Sequence, residues 1–256
     1  MKAVVRYFVF FFVASISNIY CVFYKCLNTI LGKKKVLIYT DSRGFEVTKP
    51  WNRKNALSSY IKNIVKQYTC DVIICPEKHT SLLDFLDYYE SNNIKYNHVI
   101  LHCGIVDFAP RPESSFDEMY KAKLKLLRKY NLISKISKDY RKFGVKYEGE
   151  ATISFLDFNT LKSEIIPKLS KIDNLIYIGI NRVLPDWNGQ YWRKRPVNIN
   201  EQLVLNDVIL ECIDQKVDLS KLTDKQIMDL TSDNVHFTNA GFDYIYNEIS
   251  QILRSS

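Results

Sequence analysis

Two short stretches carry residue types that could together perform nucleophilic chemistry. Ser42 lies in Asp41-Ser42-Arg43-Gly44, and far downstream comes Asp233-Asn234-Val235-His236. A serine hydroxyl is a poor nucleophile near neutral pH until a base takes its proton. Histidine is the side chain whose ordinary pKa suits that task. Of the four histidines, only His236 sits in a polar loop with an aspartate three residues upstream. That spacing lets the loop fold so that the carboxylate meets one imidazole nitrogen and the other faces a hydroxyl. The carboxylate then fixes the tautomer and stabilises the imidazolium formed during reaction. Singly, the first stretch reads as an ordinary polar turn and the second as a capped loop or a histidine bonded for stability. Together they give Ser42, His236 and Asp233 complementary roles as nucleophile, base and orienting partner.

These residues need elements that bring them to one place. An aliphatic run over residues 36–39 ends abruptly at Asp41-Ser42, as strands do at the carboxyl edge of open α/β sheets, where ligands bind. Gly44 lets the chain turn sharply away. Residues 56–68 read as a helix with Leu57, Tyr60, Ile61, Ile64 and Val65 on one face. Residues 71–75 form a second strand, 81–90 a helix with Thr80 as N-cap, and 98–103 a third strand closed by Gly104-Ile105-Val106-Asp107. This alternation implies a mainly parallel sheet with helices on both faces. Further helices are expected at 116–130, 161–172, 199–213 and 239–253, with a fourth strand at 175–180 ended by Asn181. Residues 132–149 read as a second helix and a polar turn, and 223–230 as a connector. The loop 184–197 carries Trp187, Trp192, Arg193 and Arg195, a composition suited to a sugar or an acidic group.

In order and context these blocks resemble the SGNH (GDSL-type) hydrolase family over residues 35–253. The family's Gly-Asp-Ser block appears as Thr40-Asp41-Ser42, its Gly-x-Asn-Asp block as Gly104-Ile105-Val106-Asp107, and its Asp-x-x-His block as Asp233 to His236. The resemblance implies a three-layer α/β/α sandwich, flavodoxin-like in its sheet. It implies acyl transfer from esters to water or another hydroxyl, with Ser42, His236 and Asp233 catalytic and no metal or other cofactor. It also directs attention to Gly104 and Asp107 beside the substrate. Three positions depart from the family. Thr40 replaces a glycine, Pro76 to His79 hold no second-block glycine, and Val106 replaces the asparagine that helps bind the oxyanion. Arg43, Arg111 and Asn181, each just past the end of an expected strand, are candidates for the missing donor.

At 256 residues, 46% hydrophobic and 25% charged, the chain suits one sizeable α/β domain and not a disordered polymer. Its formal charge is +8, yet the basic residues are dispersed and no nucleic-acid motif is present. The six cysteines form no C-x-x-C pair, which leaves zinc and redox-pair chemistry without support. Residues 1–32 differ from the remainder, 33–256. Residues 7–24 carry no charge and as a helix would span about 27 Å, close to a bilayer's hydrocarbon core. Lys2 and Arg6 flank this run on one side, and Lys25 and Lys33 to Lys35 on the other. The reading is a single membrane anchor. A cleaved signal peptide, or a helix packed on the domain or lying in the interface, are its competitors. The lysine block and unpaired thiols tilt the domain towards the cytoplasm. The expected substrate is a small ester or an O-acylated (acetylated) carbohydrate. The alternative is a catalytically inactive module binding a glycan or a partner at a membrane.

Overall fold

Aliphatic, β-branched and aromatic runs form the strands, because such side chains pack well on a pleated, half-buried surface. The computed structural model describes residues 2–137, 142–191 and 194–255. Its strands are β1 (Lys35–Thr40), β2 (Thr69–Ile74), β3 (His98–His102), β4 (Arg111–Pro112), β5 (Lys142–Tyr147), β6 (Glu150–Ile153), β7 (Leu175–Ile178) and β8 (Gln215–Val217). Five of them form one sheet in the order β2-β1-β3-β7-β8, and every pairing in it is parallel. Val36 pairs with Cys70 on one side and His98 on the other. The strand order reverses at β1 and β3, so the crevice beyond their carboxyl ends is where ligands enter such sheets.

Alternation along the strands feeds two cores. Leu37, Tyr39, Val99 and Leu101 point to one face, where Leu82, Leu86, Met119 and Ile209 cover them. Val36, Ile38 and Ile100 point to the other, under Ile61, Ile64, Ile245 and Ile249. Each fully buried aliphatic side chain contributes about 1.5–3 kcal/mol. The architecture is therefore the expected α/β one, a parallel sheet between two helical layers.

Several elements differ from the sequence reading, each for a local reason. Residues 132–149 were expected to hold a second helix, but β5 and β6 form a hairpin that pairs with β4 in a small antiparallel sheet. Exposure alternates strictly along Lys142–Tyr147, and Glu148 (φ 52°) and Gly149 (φ 85°) make the turn. Positions 138–141 of that stretch lie outside the described residues. The fifth sheet strand, β8, is three residues long and too short to show a period. The expected connector at 223–230 is a helix, Asp224–Leu230, started by a capping box between Thr223 and Gln226. The helix expected at 56–68 is interrupted at Ser59, leaving a 3-10 turn, Ala56–Ser58, and a short helix, Ile61–Val65. Ser81, not Thr80, caps Leu82–Ser91, through a capping box with Asp84.

The N-terminal helix Lys2–Ile30 is long and apolar enough over Val5–Ile30 to cross a membrane, by length and composition. It packs beside β2. Ser17 Oγ accepts from the Ala56 N–H at 2.8 Å, and Asn28 Nδ2 donates to the Val65 and Tyr68 carbonyls at 2.8 Å.

The closing helix, Asn239–Ser255, starts tightly against Asp224–Leu230. A Cβ at Gly241 would lie 2.2 Å from the Leu230 carbonyl oxygen, a backbone atom. That carbonyl also accepts from the Thr238 N–H at 2.9 Å. Gly241→Ala is expected to lower unfolding stability by about 1–3 kcal/mol, measured by urea denaturation, by forcing these two segments apart.

Candidate active site

Ser42 follows β1 directly, in a 3-10 turn, Ser42–Gly44, whose N-cap is Asp41. Asp41 accepts the Arg43 N–H at 2.9 Å and so closes the turn. Gly44 serves close packing, not an unusual φ: a Cβ there would collide with the Thr40 side chain at 2.0 Å. As the first residue of the turn, Ser42 has an N–H with no acceptor inside it, available to a ligand.

His236 arrives from the other end of the chain. The loop before the closing helix is shaped by Asn234, whose φ of 71° is left-handed, a conformation asparagine tolerates better than most residues. Asn234 is fully buried. Its Oδ1 accepts the Leu184 N–H at 2.9 Å, and its Nδ2 donates to the Leu184 and Trp187 carbonyls. Asp233 Oδ1 accepts the N–H groups of Val235 (3.1 Å) and His236 (2.8 Å). Its Oδ2 lies 2.8 Å from His236 Nδ1, and His236 Nε2 lies 3.1 Å from Ser42 Oγ. The structure thus brings the three sequence-nominated residues into one hydrogen-bonded chain. Burial alone would raise the Asp233 pKa, but the bonds and charge of His236, with Arg195 nearby, hold it down to about 2.

The other nominated residues divide. Arg43 is fully buried beneath the site, its Nε 3.4 Å from Asp41 Oδ1 and one guanidinium nitrogen donating to the Gly179 carbonyl at 3.2 Å. Asn181 directs its amide to the carbonyls of Arg182 (2.9 Å) and Asn234 (2.8 Å), so it braces the histidine loop. Gly104 holds φ 127°, and a Cβ there would come within 3.2 Å of the Tyr177 hydroxyl. Asp107 is fully buried and accepts the Leu82 N–H at 2.9 Å, serving the start of a helix. Only Arg111 among these lines the Ser42 cavity.

That cavity is ≈ 180 Å³, and Ser42, His236, Val106, Lys78, Arg111 and Arg195 contribute to its wall. Through Arg111 and Arg195 it continues into a second depression of ≈ 390 Å³ reaching Tyr147 and Tyr191. Val106 is buried and offers only an isopropyl group. Arg111 Nε is buried with no hydrogen-bond partner, and no carboxylate among the described residues forms an ion pair with this side chain. Its burial lowers the guanidinium pKa, while Asp107 and Asp41 pull the other way. Arg195 lies 3.9 Å over the Tyr191 ring and bonds Asp233 Oδ2 at 3.3 Å. Sequence reasoning named Arg195 in its loop but not as a partner of Asp233, and it missed the role of Asn234. The left-handed tolerance of asparagine was the one signal for the latter. Trp192 and Arg193 of the same loop lie outside the described residues.

Neither a protein-family model nor a curated protein sequence matches the chain. Solved structures with some likeness include phospholipase A1 from Streptomyces albidoflavus NA297, at 11% identity and TM-score 0.47, covering 87% of this chain and 99% of that one. The acetyl xylan esterase AlAXEase is 13% identical with TM-score 0.39, covering 85% of this chain and 98% of its own. The psychrotrophic esterase EstA from Pseudoalteromonas sp. is 9% identical with TM-score 0.37, covering 87% and 97%. Likenesses this distant carry no argument about chemistry, which rests on the geometry of the site.

Burial raises the Asp107 pKa to about 8, from an ordinary value of 3.8. The folded state therefore binds one more proton than the unfolded state between those values, and stability falls as pH rises through that window. Asp107→Asn keeps the acceptor for Leu82 and removes the titration. The variant is expected to gain stability relative to the parent progressively from pH 4 to pH 8, followed by chemical denaturation across that range.

Proposed function

We propose that the protein is a serine-dependent O-acyl ester hydrolase or O-acyltransferase, with an acyl (acetyl) group on a carbohydrate as its substrate. The observation that carries this reading is the chain from Ser42 Oγ to His236 Nε2 at 3.1 Å and from His236 Nδ1 to Asp233 at 2.8 Å. Ser42 Oγ attacks the acyl carbon and its proton passes to His236 Nε2. The tetrahedral adduct collapses, the bond to the leaving alcohol breaks, and His236 returns the proton to that oxygen. Water or a sugar hydroxyl, deprotonated by the same imidazole, then attacks the acyl carbon, the bond to Ser42 Oγ breaks, and His236 returns the proton to that oxygen. The carbohydrate preference draws on Tyr147 and Tyr191 along the extended depression.

The Ser42 N–H is one donor to the oxyanion. Arg111 is the second, in place of the amide that Val106 lacks. Arg111 Nε is buried at the cavity wall without a hydrogen-bond partner, and a charge that develops on the substrate oxygen gives it one. Arg111→Ala is expected to lower kcat by about a hundredfold or more with a smaller change in KM. An equal fall in kcat for Arg111→Lys and Arg111→Ala supports a bonding geometry that only the guanidinium fork supplies.

Val106 favours a second reading, a glycan-binding module without turnover. A fluorophosphonate probe and a p-nitrophenyl acetate assay separate the two. The esterase reading expects labelling and hydrolysis that are both lost in Ser42→Ala. Labelling that persists in Ser42→Ala, or none in folded parent protein, rejects it.

A further inference from the structure

The helix Lys2–Ile30 is amphipathic in an inverted sense. From residue 14 onward the face turned to the domain holds Ala14, Ser17, Tyr20, Cys21, Tyr24, Lys25 and Asn28, which recur at helical spacing and are mostly small or carry a polar group, while Val9, Phe10 and Val13 before it are half-buried. Tyr20 donates to the Lys62 carbonyl at 3.1 Å, and Lys25 pairs with Asp71. The face turned outward holds the large apolar groups, Phe8, Phe12, Ile19, Phe23, Leu27 and Ile30 among them. Outside residues 5–31, the exposed large hydrophobic side chains are only Ile94, Ile133, Phe158, Val197, Val204 and Met228 among the described residues. A contiguous apolar face of this length is not left to water.

A helix of this composition could cross a bilayer, but its docking opposes that. The apolar stretch 7–24 and the docked stretch 14–28 overlap. A spanning helix would carry the Ala56 N–H contact, Lys62 and Lys54 into hydrocarbon, where polar groups need internal partners. Lying flat, it buries the whole outward face, while exposed Arg6 at one end and Lys33 and Lys34 at the other stay at headgroup level. No Asp or Glu occurs in residues 1–40, so nothing in this segment repels an anionic surface.

We propose that this helix lies in the plane of an anionic bilayer, with its Ser17–Asn28 face still docked on the domain, and so holds the protein on the membrane surface without crossing it. Aromatic and aliphatic groups enter the interface, and the lysines meet lipid phosphates. The helix runs antiparallel to β2: Lys25 and Asn28 meet Asp71, Val65 and Tyr68, while Ala14 and Ser17 flank a groove that reaches Ile74. The sheet edge that carries Ser42 therefore opens along the membrane.

The test uses full-length protein and vesicles of phosphatidylcholine with or without phosphatidylglycerol. Flotation is expected with phosphatidylglycerol, and Lys33→Glu with Lys34→Glu is expected to weaken it by about tenfold or more. Spin labels at Phe12, Ile19 and Ile30, with Cys21, Cys26 and Cys212 changed to serine, then report depth. Equal shallow depths support the proposal. A label at Ile19 deeper than one at Ile30 by about 15 Å means a spanning helix and overturns it. Absence of binding to the phosphatidylglycerol vesicles, whether the protein is monomeric or dimeric through the same helix, overturns it too. Ester hydrolysis is not a readout, so failure here is distinct from failure of the proposed activity.

Discussion

The Asp233 carboxylate is the point on which the site depends. One oxygen gathers two backbone N–H groups and closes the loop, and the other meets His236 Nδ1. A single buried acid therefore shapes the backbone and orients the imidazole at once. Burial works against its charge, yet its pKa falls to about 2 because the donors outnumber the loss of water. Arg195 adds a further donor and is itself held against the Tyr191 ring. The histidine loop is thus tied at several points, to Arg195 through Asp233, to Leu184 through Asn234, and to Asn181.

Beneath it lies a second constraint, the parallel sheet. Ser42 and Gly104 stand at the carboxyl ends of adjacent strands on either side of the point where strand order reverses. Arg43, wholly buried, ties the end of β1 to the Gly179 carbonyl just past β7 and is partnered by Asp41. Its burial is offset in part, since Nε and one terminal nitrogen meet a carboxylate and a carbonyl, while the other terminal nitrogen has no partner. Arg111 Nε is also without a hydrogen-bond partner, and its side chain lines the Ser42 cavity. The contrast between a fully buried arginine tied to protein acceptors and a half-buried one lining a cavity separates a structural cation from one available to substrate.

The N-terminal helix follows the same logic of satisfaction. Ser17, Tyr20 and Asn28 find backbone partners on the domain, while large apolar groups such as Phe8, Phe12, Ile19 and Phe23 are exposed. What looks from hydropathy like a free-standing span is, in three dimensions, one more element beside the edge strand β2.

Much of this was legible in the residues alone. Strand, helix and strand over residues 36–103 were readable because aliphatic runs ending in Asp-Ser and Gly state both their type and their working end. Asp233 and His236 could be paired because three residues of spacing allow a local bond, and Ser42 could be matched to them by chemistry. The hairpin of β5 and β6, the short β8 and the break at Ser59 were not legible, since their pairing partners are distant and their own runs too brief to show a period. Nor could the sequence sort Arg43, Arg111 and Asn181, all polar residues near strand ends. Residue type fixes what a side chain can donate or accept. Only the packed structure decides whether a neighbour has already taken that donor, because burial and direction arise from contacts between segments far apart in the chain.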